Sequence, residues 1–232
     1  MSDFIFRQLF DKKTSTYTYL IGDEDSREAV IIDPVIEQFE RDCKLIRELN
    51  LNLKYSIDTH IHADHITGAY QLKEKLSSEI LMPYSCHITG EDRFLHEGNI
   101  INLGNSHFLK VISTPGHTQE HICLHLDDRL FTGDTLLIRG CGRTDFQGGS
   151  SDELYHSITK KLFKFSDNTL IYPGHDYKGL GVSTVNEEKK FNLRIADKSL
   201  EEFKVTMASL KLSSPNNIDY NLKANFKCGI IV

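Results

Sequence analysis

The sequence lacks the paired cysteines that build a disulfide framework or a thiolate metal site. Its cysteines are odd in number, widely scattered and never arranged as CxxC: Cys43, Cys86, Cys123, Cys141 and Cys228. A disulfide scaffold is therefore not expected, and the pattern fits a reducing compartment. We expect a cytoplasmic protein, or one of the mitochondrial matrix if the source is eukaryotic.

Basic stretches and long apolar runs are absent too. Lys and Arg total 27 against 33 Asp and Glu, a formal net charge of −6. Nucleic acid is not the expected partner, because phosphate neutralisation needs a basic face. No apolar run approaches the roughly 18 residues of a membrane-spanning helix. Charges at Asp3, Arg7 and Asp11 interrupt the N-terminal stretch, so no secretory signal is predicted.

Linkers, internal repeats and low-complexity tracts are also missing. We therefore expect a single domain over residues 1–232, with a short helical tail over about 181–232. Short apolar runs alternate with helical spacing, which is typical of an α/β chain. Strands are predicted at 29–33, 53–58, 108–114, 121–126, 129–133 and 169–174, and helices at 36–49, 66–77, from Ser150 onward and near 199–210.

The sequence does contain THIHADH at residues 59–65, which holds three histidines and one aspartate within six positions. Burying such a cluster without a partner is costly, so a transition-metal ion is expected there. Further single candidates follow strand-like runs in TPGHT, FTGDTL and YPGHD, each beside a glycine. The candidate ligands are His60, His62, Asp64, His65, His117, Asp134 and His175.

Imidazole and carboxylate donors, with no cysteine among them, favour zinc, iron or manganese. Other histidines have no comparable context and are expected to be structural or surface residues. They are His87, His96, His107, His121, His125 and His156.

HxHxDH followed by Gly-His, Gly-Asp and a second Gly-His resembles the ligand pattern of the metallo-β-lactamase superfamily, over roughly residues 4–180. The resemblance implies an α/β fold, the αββα sandwich, with a metal site at one edge of two facing sheets. True β-lactamases are disfavoured, because many of them place a cysteine where this chain has Asp134. Members that process RNA carry extra domains and basic surfaces, which this sequence does not have.

Four stretches look more specifically like the persulfide dioxygenase family: FRQLFDKKTSTYTYLIGD, LLIRGCGRTDFQGG, YPGHDYKG and NFKCG. This resemblance implies one Fe(II) per chain, bound by His60, His117 and Asp134. His62, Asp64, His65 and His175 would then line the cavity or, in the alternative below, bind a second ion. The implied reaction oxidises glutathione persulfide with O₂ to sulfite and glutathione. Any sulfurtransferase partner would be a separate chain.

Arg143, Tyr177 and Arg194 match family positions linked to glutathione or to holding the site. A guanidinium can form a bidentate pair with a carboxylate, which suits the recognition of anionic glutathione. The competing interpretation of Arg143 is an internal ion pair with Asp145. Cys141 and Cys228 are expected to be structural cysteines, because no flanking base is evident.

Two alternatives stay open. Glyoxalase II, a hydrolase of S-acyl glutathione thioesters, shares the ligand pattern and holds two Zn, Fe or Mn ions, with Asp134 as the bridge. It usually ends in a larger helical domain, whereas only residues 176–232 follow the last candidate ligand here. A non-catalytic metal-binding or sensor protein would have no need for seven polar groups around one cavity. A homodimer is compatible with the resemblance, since many relatives are dimers or tetramers.

Overall fold

The structure is a computed structural model that describes residues 4–85, 87–214 and 217–231. The described parts of Met1–Lys110 and Ser214–Val232 form unit 1, and Val111–Ser213 forms unit 2. The expectation of a single domain over 1–232, with a tail over about 181–232, stays a prediction. Within the described ranges, no helix is both long enough and apolar enough to cross a membrane.

Strands and helices alternate along the chain. The strands are β1 (Phe4–Asp11), β2 (Thr16–Asp23), β3 (Glu28–Ile32), β4 (Asn52–Ile57), β5 (Glu79–Pro83), β6 (Arg93–Leu95), β7 (Ile100–Leu103), β8 (His107–Ser113), β9 (Ile122–Leu126), β10 (Arg129–Gly133), β11 (Leu170–Pro173) and β12 (Ser183–Thr184). The helices are α1 (Phe39–Glu48), α2 (Ala69–Leu76), α3 (Ser151–His156), α4 (Val185–Phe191), α5 (Leu200–Ala208) and α6 (Ile218–Asn225). Short 3₁₀ or π segments cover Ile36–Gln38, Ser157–Lys161 and Leu162–Lys164.

Unit 1 contains a six-stranded sheet in the order β1-β2-β3-β4-β5-β6. Strands β1 to β3 pair antiparallel, whereas β3 to β6 pair parallel. β3 and the second half of β4 are buried, which explains why both were recognisable as apolar runs. The carboxyl end of β4 leads directly into THIHADH, so the sheet edge positions the histidine cluster.

Helix α1 closes one face of this sheet. Phe39, Cys43 and Ile46 follow helical spacing and pack with Leu20 and Ile31 of the strands. The helix predicted at 36–49 is thus confirmed, with a 3₁₀ turn as its first part. The helix predicted from residue 66 begins later, at Ala69, because the preceding residues belong to the histidine loop.

Unit 2 contains strands in the order β12-β11-β10-β9-β8, and β8 holds the boundary between the units. β9 and β10 pair antiparallel, while β10 and β11 pair parallel. The side chain of Ser150 accepts a hydrogen bond from the backbone N–H of Glu153, which confirms the predicted helix start. Leu154 and Leu162 then pack against Leu130 of the sheet.

Candidate metal centre

The histidine loop lies between β4 and α2 in unit 1. His60, His62 and His65 are buried, and Asp64 is half-buried. The His62 ring lies between the other two, with ring centroids 4.2 Å from His60 and 4.3 Å from His65. Three imidazoles packed this closely need a charge partner or a metal to compensate their burial.

Two buried carboxylates lie beside the Nε2 atom of His62. Its Nε2 lies 3.2 Å from Asp33 Oδ1 and 3.6 Å from Asp58 Oδ1. Burial alone would lower the pKa of His62, but the two carboxylates outweigh it and raise the pKa to about 10. Burial also raises the pKa of Asp58. A carboxylate that accepts from one ring nitrogen orients the other toward a metal and increases its basicity.

Two ring nitrogens of the histidine loop give the clearest indication that the loop binds a ligand. His62 Nδ1 and His65 Nε2 are buried and have no hydrogen-bond partner among the described residues. One donor atom each from His62, Asp64 and His65 lies within 4.8 Å of the others. A bound cation would replace the proton at such a nitrogen and satisfy its lone pair. The loop therefore fits a metal ion such as zinc, iron or manganese.

Unit 2 brings its three predicted ligands together. Asp134 follows β10 and His175 follows β11, and because these strands are parallel neighbours both residues lie at the same sheet edge. His175 Nδ1 lies 2.7 Å from Asp134 Oδ1, and His117 Nε2 lies 3.7 Å from Asp134 Oδ2. Each of these residues was predicted to follow a strand, and the strand order shows that the strands belong to one sheet.

His117 is held in one tautomer. Its Nδ1 lies 2.7 Å from the carbonyl oxygen of Arg143, and because a carbonyl only accepts, Nδ1 carries the proton. Nε2, the nitrogen that carries the lone pair in this tautomer of the neutral ring, faces Asp134. This is the arrangement in which a histidine binds a metal through one nitrogen while donating with the other.

Two glycines leave room for these ligands. The N–H of Gly142 donates to the carbonyl oxygen of Asp134 at 2.7 Å. A Cβ at Gly142 would lie 2.7 Å from His117 Nδ1, and one at Gly174 would lie 2.8 Å from Asp134 Oδ1. Both distances are too short for a side chain, so only glycine permits the observed approach.

Arg143 forms the ion pair with Asp145 that was the alternative to a role in substrate binding. Its Nε and Nη2 lie 2.6 and 2.7 Å from the two carboxylate oxygens of Asp145, whose pKa it lowers. The guanidinium also donates to the carbonyls of Leu212 and Ser213 and lies over the ring of Phe146. Its donors are thus engaged within unit 2, and its contact with substrate stays a prediction.

The other two predicted substrate residues differ in accessibility. Arg194 donates to the carbonyl oxygen of Cys141 and so holds the segment before Gly142. Tyr177 is 72% exposed, and its ring stacks on His175 with an interplanar angle of 5°. Tyr177 is therefore available to a ligand, whereas Arg194 supports the backbone.

Cys141 and Cys228 are both fully buried. Burial raises the pKa of Cys141 to about 11 and that of Cys228 to about 12. Both thiols are therefore protonated at neutral pH and poorly nucleophilic, as expected for structural cysteines.

Sequence reasoning missed four residues that hold the candidate ligands. Asp33 and Asp58 each follow an apolar strand, and this signal could have revealed them. Asn225 binds the histidine loop from the other end of the chain, for which the sequence offers no signal. His121, expected to be structural, accepts a hydrogen bond from the amide of Asp134 at 3.0 Å.

The sequence matches the family model described as the metallo-beta-lactamase superfamily over residues 12–175. The mitochondrial persulfide dioxygenase of Bos taurus is 47% identical over 228 residues, covering 97% of this chain and 89% of that protein. The crystal structure of ETHE1 from Myxococcus xanthus is 48% identical, with a TM-score of 0.94 over 97% of this chain and 100% of that chain.

A hydroxyacylglutathione hydrolase of Pelagibacter ubique is more distant. It is 32% identical over 209 residues, covering 83% of this chain and 82% of that protein. The similarity to the dioxygenases thus extends further along the chain and is stronger than the similarity to this hydrolase. The predicted α/β fold of the metallo-β-lactamase type is confirmed, and the chain belongs to the metallo-beta-lactamase superfamily and, within it, to the persulfide dioxygenase family.

Proposed function

We propose that this protein is a persulfide dioxygenase that oxidises glutathione persulfide with O₂ to sulfite and glutathione. The observation that carries the proposal is 47% identity to a persulfide dioxygenase over 97% of the chain. One persulfide, one O₂ and one water balance to one glutathione and one sulfurous acid, which ionises to sulfite. The sulfur–sulfur bond breaks, the terminal sulfur is oxidised, and O₂ is reduced.

The proposed metal is Fe(II), one per chain, held by His60, His117 and Asp134. Support comes from His117, whose Nδ1 faces the carbonyl oxygen of Arg143 while its Nε2 faces Asp134. Two histidines and one carboxylate form the ligand set of non-haem Fe(II) oxygenases, which leaves positions open for substrate and O₂. When bound, Fe(II) would supply the redox chemistry of the reaction.

The remaining side chains have supporting tasks. His175 occupies Oδ1 of Asp134 and leaves Oδ2 for the ion. His62, Asp64 and His65 line the cavity beside His60, and Asp33 and Asp58 fix the orientation of the His62 ring through its Nε2. The glutathione part is proposed to contact Tyr177.

Several parts of the assignment rest on the resemblance alone. They are substrate contacts of Arg143 and Arg194, a separate sulfurtransferase, a homodimer, and a location in the cytoplasm or the mitochondrial matrix. The mammalian relative is named as mitochondrial, which supports the last of these for a eukaryotic source.

The second candidate is a glyoxalase II-type hydrolase of S-acyl glutathione thioesters with two metal ions. It is favoured by the buried nitrogens of His62 and His65 beside Asp64, which lack a hydrogen-bond partner among the described residues and offer a second set of donors. In that reaction Asp134 would bridge the ions and no O₂ would be consumed.

Oxygen uptake decides between the two functions. Fe(II)-loaded protein is given glutathione persulfide, and O₂ consumption and sulfite are measured in one vessel. Uptake with equimolar sulfite is expected, and Asp134→Ala should abolish it. Protein with verified iron that takes up no O₂ but cleaves an S-acyl glutathione would instead be the hydrolase.

Metal analysis of His62→Ala provides an independent test. In a dioxygenase with one iron, the variant should retain a nearly normal iron content. In a two-metal hydrolase, it should lose one ion per chain. Complete loss of iron would contradict the proposed ligand set.

A further inference from the structure

His121 is fully buried in unit 2, immediately before β9. Its Nε2 accepts a hydrogen bond from the backbone amide of Asp134 at 3.0 Å. Because an amide N–H can only donate, Nε2 is unprotonated and the ring proton resides on Nδ1. His121 therefore does more than fill the core, since it is the hydrogen-bond acceptor for the backbone amide of Asp134.

Two threonines hold His121 in this tautomer. Its Nδ1 lies 3.0 Å from the hydroxyl of Thr135 and 3.2 Å from that of Thr114. Both threonines are fully buried, and the Thr135 hydroxyl lies 2.9 Å from that of Thr114. The backbone of His121 is also fixed, since its carbonyl accepts from the amide of Thr114 at 2.8 Å. The ring therefore has a fixed position and a fixed acceptor.

Asp134 is held at three atoms. His121 accepts from its amide, the N–H of Gly142 donates to its carbonyl oxygen at 2.7 Å, and His175 Nδ1 lies 2.7 Å from Oδ1. Without His121, the amide would be a buried donor lacking this partner, and relieving that loss would require the turn after β10 to rotate. Rotation of this turn would move the carboxylate away from His117.

We propose that His121 is a positioning residue that fixes the backbone of Asp134 and thereby aims its carboxylate at the bound metal. The inference rests on the proposed role of Asp134 as a metal ligand. That role is common to the mononuclear dioxygenase and the two-metal hydrolase. The inference can therefore be tested with a metal whose binding does not depend on which reaction the protein catalyses.

The test uses the full chain loaded with Co(II). Retention of Co(II) against a chelator and its visible absorption spectrum are recorded for His121→Gln, His121→Asn and His121→Met. Gln can present an oxygen near the position of Nε2, whereas Asn reaches only to the position of Nδ1 and Met offers no comparable acceptor. His125→Met, four residues along on β9, is the matched control, since the His125 ring contacts that of Phe165, with ring centroids 4.7 Å apart.

We expect His121→Met and His121→Asn to lose Co(II) about 10- to 100-fold faster than the unmodified protein, with an altered spectrum. His121→Gln and His125→Met should stay within about threefold of it. The inference would be overturned if folded His121→Asn released Co(II) as slowly as the unmodified protein. It would also be overturned if folded His121→Gln released Co(II) as fast as His121→Asn. If His121→Met fails to fold, the Gln and Asn pair still decides. Absence of O₂ uptake by the unmodified iron-loaded protein would refute only the proposed function.

Discussion

The side-chain amide of Asn225 donates a hydrogen bond to the carbonyl oxygen of His62 at 2.7 Å, across 163 positions of sequence. The same nitrogen donates to the carbonyl oxygen of His65 at 2.8 Å, and Oδ1 accepts from the amide of Thr67 at 2.9 Å. Asn225 is fully buried at the end of α6. One side chain thus fixes three backbone groups of the histidine loop.

Asn225→Ala should destabilise the protein strongly, because it leaves these three buried backbone groups without this partner. We expect a loss of about 2–4 kcal/mol in the free energy of unfolding, measured by urea denaturation without metal. Asn221→Ala is the matched control. It removes the hydrogen bond from the side-chain amide to the carbonyl of Ala63 and should cost about 1 kcal/mol. Equal losses in the two variants would contradict this account.

Gly142→Ala should weaken metal binding. The added methyl group would meet the ring of His117 at 2.7 Å and the carbonyl oxygen of Asp134 at 2.5 Å, so at least one ligand must shift. We expect a metal dissociation constant raised on the order of tenfold, measured by competition with a chelator. Gly140→Ala serves as the control, because the nearest side chain to its Cβ within the described residues would be Arg194, at an ordinary 3.8 Å. A normal dissociation constant for Gly142→Ala would show that the ligands tolerate displacement.

The strands that could be predicted from the sequence are those with an uninterrupted run of apolar residues. The runs at β3 and β10 are buried along most of their length, and their patterns stand out in the sequence. β1 is half-exposed along most of its length, and its charged and apolar residues give no comparable run. Asp134 and His175 could each be placed after a strand, because each follows an apolar run and a glycine, but the parallel pairing of the two strands is known only from the structure.

Contacts between residues distant in sequence could not be predicted. Nothing near Asn225 signals that it binds the carbonyls of His62 and His65. The ion pair of Arg143 with Asp145 was one of two interpretations, and only the structure confirmed it. His121 has no recognisable motif around it in the sequence, because its hydrogen-bond donor is the backbone amide of Asp134 rather than a side chain.

Tyr177→Ala should impair substrate binding without affecting stability. Because Tyr177 is 72% exposed, the substitution should change the free energy of unfolding by less than about 0.5 kcal/mol. If the ring contacts the glutathione part, KM for glutathione persulfide should rise about threefold or more while kcat changes little. Tyr220→Ala, an exposed tyrosine on α6, should leave both constants unchanged. An unaltered KM for Tyr177→Ala would exclude Tyr177 from the binding site.

Asp42 is a buried carboxylate on α1 that destabilises the protein at neutral pH. Burial raises its pKa to about 6, and the hydrogen bond and charge of Arg41 offset this only in part. Arg41 Nε lies 2.8 Å from Oδ1, while Oδ2 has no hydrogen-bond partner within the described residues. From pH 4 to 6, the unfolded chain releases this proton while the folded chain retains it. The contribution of Asp42 to stability therefore falls as the pH rises through this window and is constant above it.

Asp42→Asn should consequently stabilise the protein by about 1–3 kcal/mol at pH 7–8, because the neutral amide avoids burying a charge. The gain should shrink below pH 6 and vanish near pH 4, where the carboxyl is protonated in both states. Urea denaturation of the two proteins at several pH values between 4 and 8 measures this difference. Arg41→Gln removes the group that lowers the pKa of Asp42, so the window should extend above pH 6 in that background. A gain that grows as the pH falls would mean that the Arg41 pair outweighs burial.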